Sequence, residues 1–246
     1  MVKGKQIIFE CKKTHFVLFH SNQRTIGIIP DVNFGLAGID RLTSSKFLGV
    51  MLHENLTWST HIEVIHVKLC KNLGIIRKLS YSMPNYILRM LYNTLIKPYI
   101  DYCNIVWAST PSVELKCIHI VQKKAVRLLT SNSIGTHAAP LFKSLSILNV
   151  YDTYHIQVSC FVFRALNGDL PSQFAHYFEL KSLIHNYPLR RDNDLFVRRC
   201  RTSIRKSTVR FNGVMYWNSL DDSIRNKNNL PMFKNSLKEY LLSLYI

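Results

Sequence analysis

The residue pattern predicts a mainly α chain with a small N-terminal β portion, an α+β architecture. Apolar residues recur every three or four positions through most of the chain beyond residue 59, whereas short β-prone runs without that period are confined to residues 1–58. Size is the third observation: 246 residues, 47% of them hydrophobic, can bury a substantial core and are not the composition of a disordered chain.

The β portion comes first. Lys5–Glu10 (KQIIFE) and His15–Phe19 (HFVLF) are short β-prone runs separated by Cys11, Lys12, Lys13 and Thr14. Gly27, Pro30, Asp31, Gly35 and Gly38 mark turns, and Lys46–Leu52 (KFLGVML) reads as one further strand. So few strands cannot make a sheet with two covered faces. The expectation is therefore the edge of a sheet whose other strands are missing, leaving Ile7, Phe9 and Phe16 poorly covered and this region the least stable.

Helices follow. Ser59 or Thr60 can cap one whose inner face is Ile62, Ile65, Leu69, Leu73, Ile76 and Leu79, with Lys68, Lys71 and Lys78 outside. Pro84 suits the first turn of the next, with Ile87, Leu88, Leu91, Leu95 and Ile96 inward until Pro98 kinks or ends it. Tyr99, Tyr102, Ile105, Val106 and Trp107 read as a mostly buried continuation. Pro111 opens a third helix, with Leu115, Ile118, Val121, Ala125 and Leu128 inside and Lys116, Lys123, Lys124 and Arg127 outside. A fourth, over Tyr151–Leu166, buries Tyr154, Val158, Phe161, Val162 and Ala165. Thr208–Trp217 reads as a hairpin turning at Asn212-Gly213, the dipeptide preferred in two-residue turns. A last helix starts at Pro231, apolar at Phe233, Leu237, Leu241 and Leu244.

Charge narrows the function. Lys and Arg number 32 against 15 Asp and Glu, a net +17, which favours a polyanionic partner and above all nucleic acid. Lys3, Lys5, Lys12 and Lys13 deny the N-terminus the apolar core of a signal peptide. The longest apolar stretch, Tyr86–Ala108, carries Arg89, Lys97, Pro98 and Asp101 near its middle, so no membrane span is expected. Six scattered cysteines without C-x-x-C pairs read as reduced thiols. The expected location is intracellular, nuclear or cytoplasmic.

Catalytic motifs are few. Asp221-Asp222 is the only adjacent pair of carboxylates, but its setting is that of a helix start, where acids complement exposed N–H groups. His66 and Cys70 share a helix face at i,i+4, yet a structural zinc site needs four ligands. No nucleophile elbow, phosphate-binding glycine loop or H-E-x-x-H occurs, and no small-molecule substrate is expected. The basic stretch has more to say. From Lys181 to Arg210 there are nine Lys/Arg and two Asp. Arg190, Arg191, Arg198, Arg199, Arg201, Arg205, Lys206 and Arg210 alternate with Tyr187, Phe196 and Phe211. Guanidinium groups pair phosphates and rings stack on bases, a mix suited to single strands or hybrid duplexes. The outer face at Lys116, Lys123, Lys124 and Arg127 is a second, less specific basic surface.

Several stretches, in order, resemble the C-terminal part of a non-LTR (LINE-type) retrotransposon reverse transcriptase. They are Lys12–Phe19 (KKTHFVLF), Ser45–Val50 (SKFLGV) leading to Leu56–Ile62 (LTWSTHI), Leu91–Tyr102 (LYNTLIKPYIDY), Val121–Arg127 (VQKKAVR), Trp217–Leu220 (WNSL) and Phe233–Lys238 (FKNSLK). The resemblance implies a residual palm and primer-grip region over 1–58, a thumb-like helical bundle over 59–130 and a C-terminal region over 131–246. It places Lys13 near the incoming nucleotide and makes Phe47-Leu48-Gly49 a hairpin supporting the primer end. The family's three catalytic aspartates would precede residue 1, and Asp221-Asp222 stands too late to replace them. The resemblance thus implies a fragment that holds template–primer and is inactive alone, with magnesium expected only in the full-length parent and no cofactor in this chain. The alternatives are a co-opted RNA- or DNA-binding protein and a retroelement relic. An enzyme of another class, a metal-dependent hydrolase built on His66, Cys70 or Asp221-Asp222, is a further alternative.

Overall fold

A computed structural model describes residues 14–21, 27, 31–34, 37–133, 135–184 and 194–245. The expected strand at Lys5–Glu10 lies outside them, as do Lys13, Tyr187, Arg190 and Arg191. The chain divides into two compact units, Met1–Glu63 and Val64–Ile246.

Among the described residues, strands occur only in the first unit, in three pairs. β1 (His15–Phe16) runs parallel to β4 (Asp40–Arg41), and β2 (Asn33–Phe34) runs antiparallel to β3 (Ala37–Gly38). β5 (Ser44–Phe47) and β6 (Val50–His53) form an antiparallel hairpin with Phe47 opposite Val50. The single strand expected over Lys46–Leu52 is therefore two strands and a turn. Leu48 and Gly49 have φ of 44° and 86°. Two consecutive left-handed residues give the turn twist that joins right-twisted strands. Around the hairpin, Arg41 Nη2 donates to Glu54 Oε2 at 2.7 Å, and His15 Nε2 lies 2.6 Å from Ser45 Oγ. Of the expected run His15–Phe19, only the first two residues pair as strand.

Helices build the rest, so the chain is mainly α with a small β portion. α1 (Ser59–Leu79) buries Ile62, Ile65, Leu69 and Ile76. α2 (Asn85–Leu95) follows Pro84, and Leu88 and Tyr92 are its buried residues. α3 (Lys97–Asp101), carrying Pro98, and α4 (Asn104–Trp107) break the next stretch into short turns. Trp107 is buried there, but Tyr102 and Val106 are exposed, against the expectation of a mostly buried segment. Over these two short turns Lys97, Pro98, Tyr102 and Val106 are the exposed residues. α5 (Ser112–Leu129) buries Leu115, Ile118, Val121, Gln122, Ala125, Val126 and Leu129. α6 (Ala138–Ser144) is a short element without a sequence-level signal.

α7 (Val150–Leu166) is buried over most of its circumference, as a central helix must be. Asn149 caps it, its Oδ1 accepting from Tyr151 N at 2.9 Å and Asp152 N at 3.0 Å. Against α7 pack α9 (Val209–Ser219) and α11 (Leu230–Ser243), with α8 (Ser203–Lys206) and α10 (Asp222–Arg225) as single turns. Phe233 lies stacked between Phe163 at 4.7 Å and Trp217 at 5.8 Å between ring centroids, the aromatic centre of this core. Each such ring fully buried is worth about 2–3 kcal/mol of transfer free energy. At the end of the chain the Tyr245 hydroxyl donates to Asp152 Oδ2 at 2.5 Å and accepts from Asn149 N at 3.0 Å, tying residue 245 to the start of α7.

The hairpin expected over Thr208–Trp217 is instead α9. The Asn-Gly signal is local, whereas the packing that decides is tertiary. Gly213 faces α7 so closely that a Cβ there would lie 2.8 Å from Val162 Cγ2, and Asn212 Nδ2 donates to Tyr154 Oη at 3.0 Å. Helical spacing then buries Val214 and Trp217 on the same side.

Candidate nucleic-acid interface

The basic stretch beyond residue 194 is an extended strap held at several points. Leu195 pairs with Leu180 in an isolated antiparallel bridge, while Phe196 N donates to Glu179 O at 2.8 Å. Asn218 clamps Leu195 on both sides, its Oδ1 accepting from Leu195 N at 2.8 Å and its Nδ2 donating to Leu195 O at 2.9 Å. Asp194 is buried and takes Lys181 Nζ at 2.9 Å and Arg225 Nη1 at 2.9 Å. Burial pushes its carboxyl up, but hydrogen bonds and charge from Lys181 and Arg225 outweigh that and hold it below the usual carboxylate value. Arg225 also donates to Leu220 O and Asn218 O, so this buried guanidinium is structural.

The arginines of the strap divide by partner. Arg198 Nη2 donates to both carboxylate oxygens of Glu179, at 2.8 and 3.0 Å. Arg210 donates to Tyr177 O at 3.1 Å and His176 O at 3.2 Å and lies over the Tyr177 ring at 5.3 Å. Those two hold the surface together. Arg199, Arg201 and Arg205 are exposed and have no counter-ion among the described residues. Thr202 accepts from Arg205 N at 3.4 Å and caps α8, which turns Arg205 back toward Arg199 and Arg201. Lys206, on the same turn, is exposed.

Geometry then brings together what the sequence suggested. Arg198, Arg199, Arg205 and Arg210 line one groove of about 320 Å³ with Phe196 and Phe211, and Tyr177 closes its wall. Arg199, Arg201 and Arg205 continue into an open depression beside Thr202. Phe196, Phe211 and Tyr177, all half-buried, stand among these cations.

The α5 residues lie elsewhere. Lys116 and Lys124 are exposed, whereas Arg127 Nε donates to Thr136 O at 2.8 Å. Lys123 and Arg127 line a separate cavity of about 210 Å³ with His119 and Tyr245. Burial and, secondarily, Lys123 push His119 down to about 4, so its ring is neutral at physiological pH.

Phe47 and Leu48 are exposed at the tip of the β5–β6 turn. Asp221 and Asp222 stand at the start of α10, exposed, with Asp222 Oδ1 3.9 Å from Arg225 Nη1. His66 Nε2 lies 3.5 Å from Cys70 Sγ, and no group of three or more His, Cys, Asp or Glu among the described residues could hold a metal ion. No helix of the described residues is long and apolar enough to cross a membrane. Sequence reasoning missed Glu179, Asn218 and Arg225. Asn218 lies within the WNSL stretch and Arg225 stands three residues after Asp222 on one helix face, whereas Glu179 left no signal.

The chain has an informative likeness among known proteins. Over 194 residues it is 25% identical to a probable RNA-directed DNA polymerase from transposon X-element of Drosophila melanogaster. The chain is similar to a transposon-encoded RNA-directed DNA polymerase. The match covers 73% of this chain and 21% of that polymerase, so the chain spans about a fifth of that protein's length. No family model matches, and no solved structure matches. The likeness supports a retroelement-related chain.

Proposed function

We propose that this chain is a nucleic-acid-holding portion of a retroelement RNA-directed DNA polymerase, corresponding to its C-terminal part. It grips template–primer through phosphates with little base specificity and does not polymerise by itself. In this reading residues 1–58 are palm end and primer grip, 59–130 the thumb and 131–246 a basic C-terminal region. In the same reading Lys13 lies near the incoming nucleotide, and the Phe47-Leu48-Gly49 turn supports the primer end.

One observation carries the binding proposal. Arg199, Arg201 and Arg205 converge beside an aromatic-lined groove and have no counter-ion among the described residues. Three guanidinium groups held without acids repel one another, and a phosphate backbone relieves that repulsion while releasing its own counter-ions.

The test is the salt dependence of binding to a labelled RNA–DNA hybrid. For R199A/R201A/R205A, the slope of log affinity against log salt should flatten by about 0.9 for each phosphate the variant no longer neutralises. R198A should change it little, because Glu179 already occupies that side chain. Equal slopes for wild type and triple variant, with both proteins folded, would remove the groove from the interface.

A further inference from the structure

A second basic cleft, sharing no residue with the arginine groove, opens between α2, α3, α7 and α11 in the C-terminal unit and encloses about 370 Å³. That is within the range of about 300–1,000 Å³ in which small-ligand pockets fall. Arg89, Lys97, Lys234 and Lys238 stand around it, and its one lining carboxylate, Asp101, is already ion-paired with Lys97. Arg89 Nη2 donates to Leu145 O at 3.0 Å, which positions the guanidinium without neutralising it. Lys234 and Lys238 have no counter-ion among the described residues. Such walls concentrate anions.

Its lining mixes polar and apolar side chains, among the latter the buried Tyr92, Ile100 and Ile156. Gln122, only 1% exposed, also lines it. The Gln122 amide donates Nε2 to Leu148 O and to Tyr92 Oη, each at 3.0 Å. A backbone carbonyl can only accept, so Leu148 fixes the amide with its nitrogen on that side. Oε1 is then a buried acceptor without a partner. The cleft therefore combines cations, some apolar side chains and a buried acceptor without a donor.

We propose that this cleft binds one nucleotide. The phosphate meets Lys234 and Lys238 with Arg89, the base enters the cleft toward Tyr92, Ile100 and Ile156, and a base N–H or ribose O–H donates to Gln122 Oε1. Inorganic phosphate would satisfy the cations alone and leave lining and acceptor unused. The nucleotide is either free or an unpaired unit of a strand. This site stands apart from the groove reading, and either can fail without the other.

Calorimetry on the full chain at low salt, with nucleoside 5′-monophosphates and with inorganic phosphate, tests it. Anisotropy with labelled oligouridylate and with a blunt duplex completes the set. The proteins are wild type, K234E/K238E and R199A/R201A/R205A, each checked for native circular dichroism. A free nucleotide is the ligand if a monophosphate binds more tightly than phosphate, loses about tenfold or more in K234E/K238E, and is unchanged in the arginine variant. A strand is the source if monophosphates do not bind but the charge reversal weakens oligouridylate and leaves the duplex untouched. Phosphate binding as tightly as the monophosphate overturns the proposal. So does K234E/K238E that leaves every ligand unaffected or weakens single strand and duplex alike.

Discussion

Gly213 of α9 and Val162 of α7 approach so closely that a Cβ on the glycine would sit 2.8 Å from Val162 Cγ2. The Phe178 ring, at 3.0 and 3.1 Å from the same point, closes the other side. Val162 is short and β-branched and is wholly buried, so it has no room to swing away.

Gly213→Ala is therefore expected to destabilise the fold. Alanine gains about 1 kcal/mol in helix propensity over glycine. Overpacking against Val162 and Phe178 costs about 1–3 kcal/mol, and separating α7 from α9 would loosen the Phe163–Phe233–Trp217 stack as well. The net sign is a loss. Urea unfolding should show a lower midpoint with an unchanged slope. A raised midpoint would mean that Val162 yields more readily than a packed β-branched side chain should.

That close approach also marks where sequence reading stops. The long amphipathic helices are legible because period alone decides them: Leu69 and Ile76 in α1, Leu115, Ile118 and Val121 in α5, Phe233, Leu237 and Leu241 in α11 are all buried. Asn212-Gly213 misleads because the glycine serves a helix–helix approach, a tertiary fact without a local signature. α6 escapes notice because seven residues including Pro140 carry too little period. The site divides in the same way. Arg198 and Arg199 are indistinguishable as neighbours in sequence, and only the fold shows that Glu179, nineteen positions away, occupies the first and leaves the second free.

Two histidines make stability depend on mild acid. His155 stacks on Tyr216 with ring centroids 4.1 Å apart, and burial pushes it down to about 4. His119, between Phe142 and Tyr151, is pushed to about the same value. In the unfolded chain both protonate near the ordinary value of about 6.5. Between these limits the unfolded state binds more protons than the folded one. Their contribution is complete above about pH 6.5 and is lost as pH falls toward about 4. His155→Phe keeps the stacked ring and removes the titration. The urea midpoint of this variant should drop less than wild type between pH 7.5 and 5. Parallel drops would show that His155 titrates alike in both states.

The turn between β5 and β6 sets a last expectation. Leu48, with φ of 44°, occupies left-handed backbone at a cost of about 1–2 kcal/mol for a residue with a Cβ, and its side chain is 73% exposed. Gly49, with φ of 86°, does so without that cost. Leu48→Asn should therefore hold the hairpin at least as well, since asparagine tolerates this conformation and little burial is given up. Gly49→Val should loosen it, because a β-branched residue is worst placed there. Amide exchange at Ser45, Phe47, Val50 and Leu52, the hydrogen-bonded pairs of the hairpin, reads it directly. Exchange should slow or hold steady in Leu48→Asn and quicken in Gly49→Val. The reverse order would mean that the apolar tip, and not the backbone of the turn, holds the two strands together.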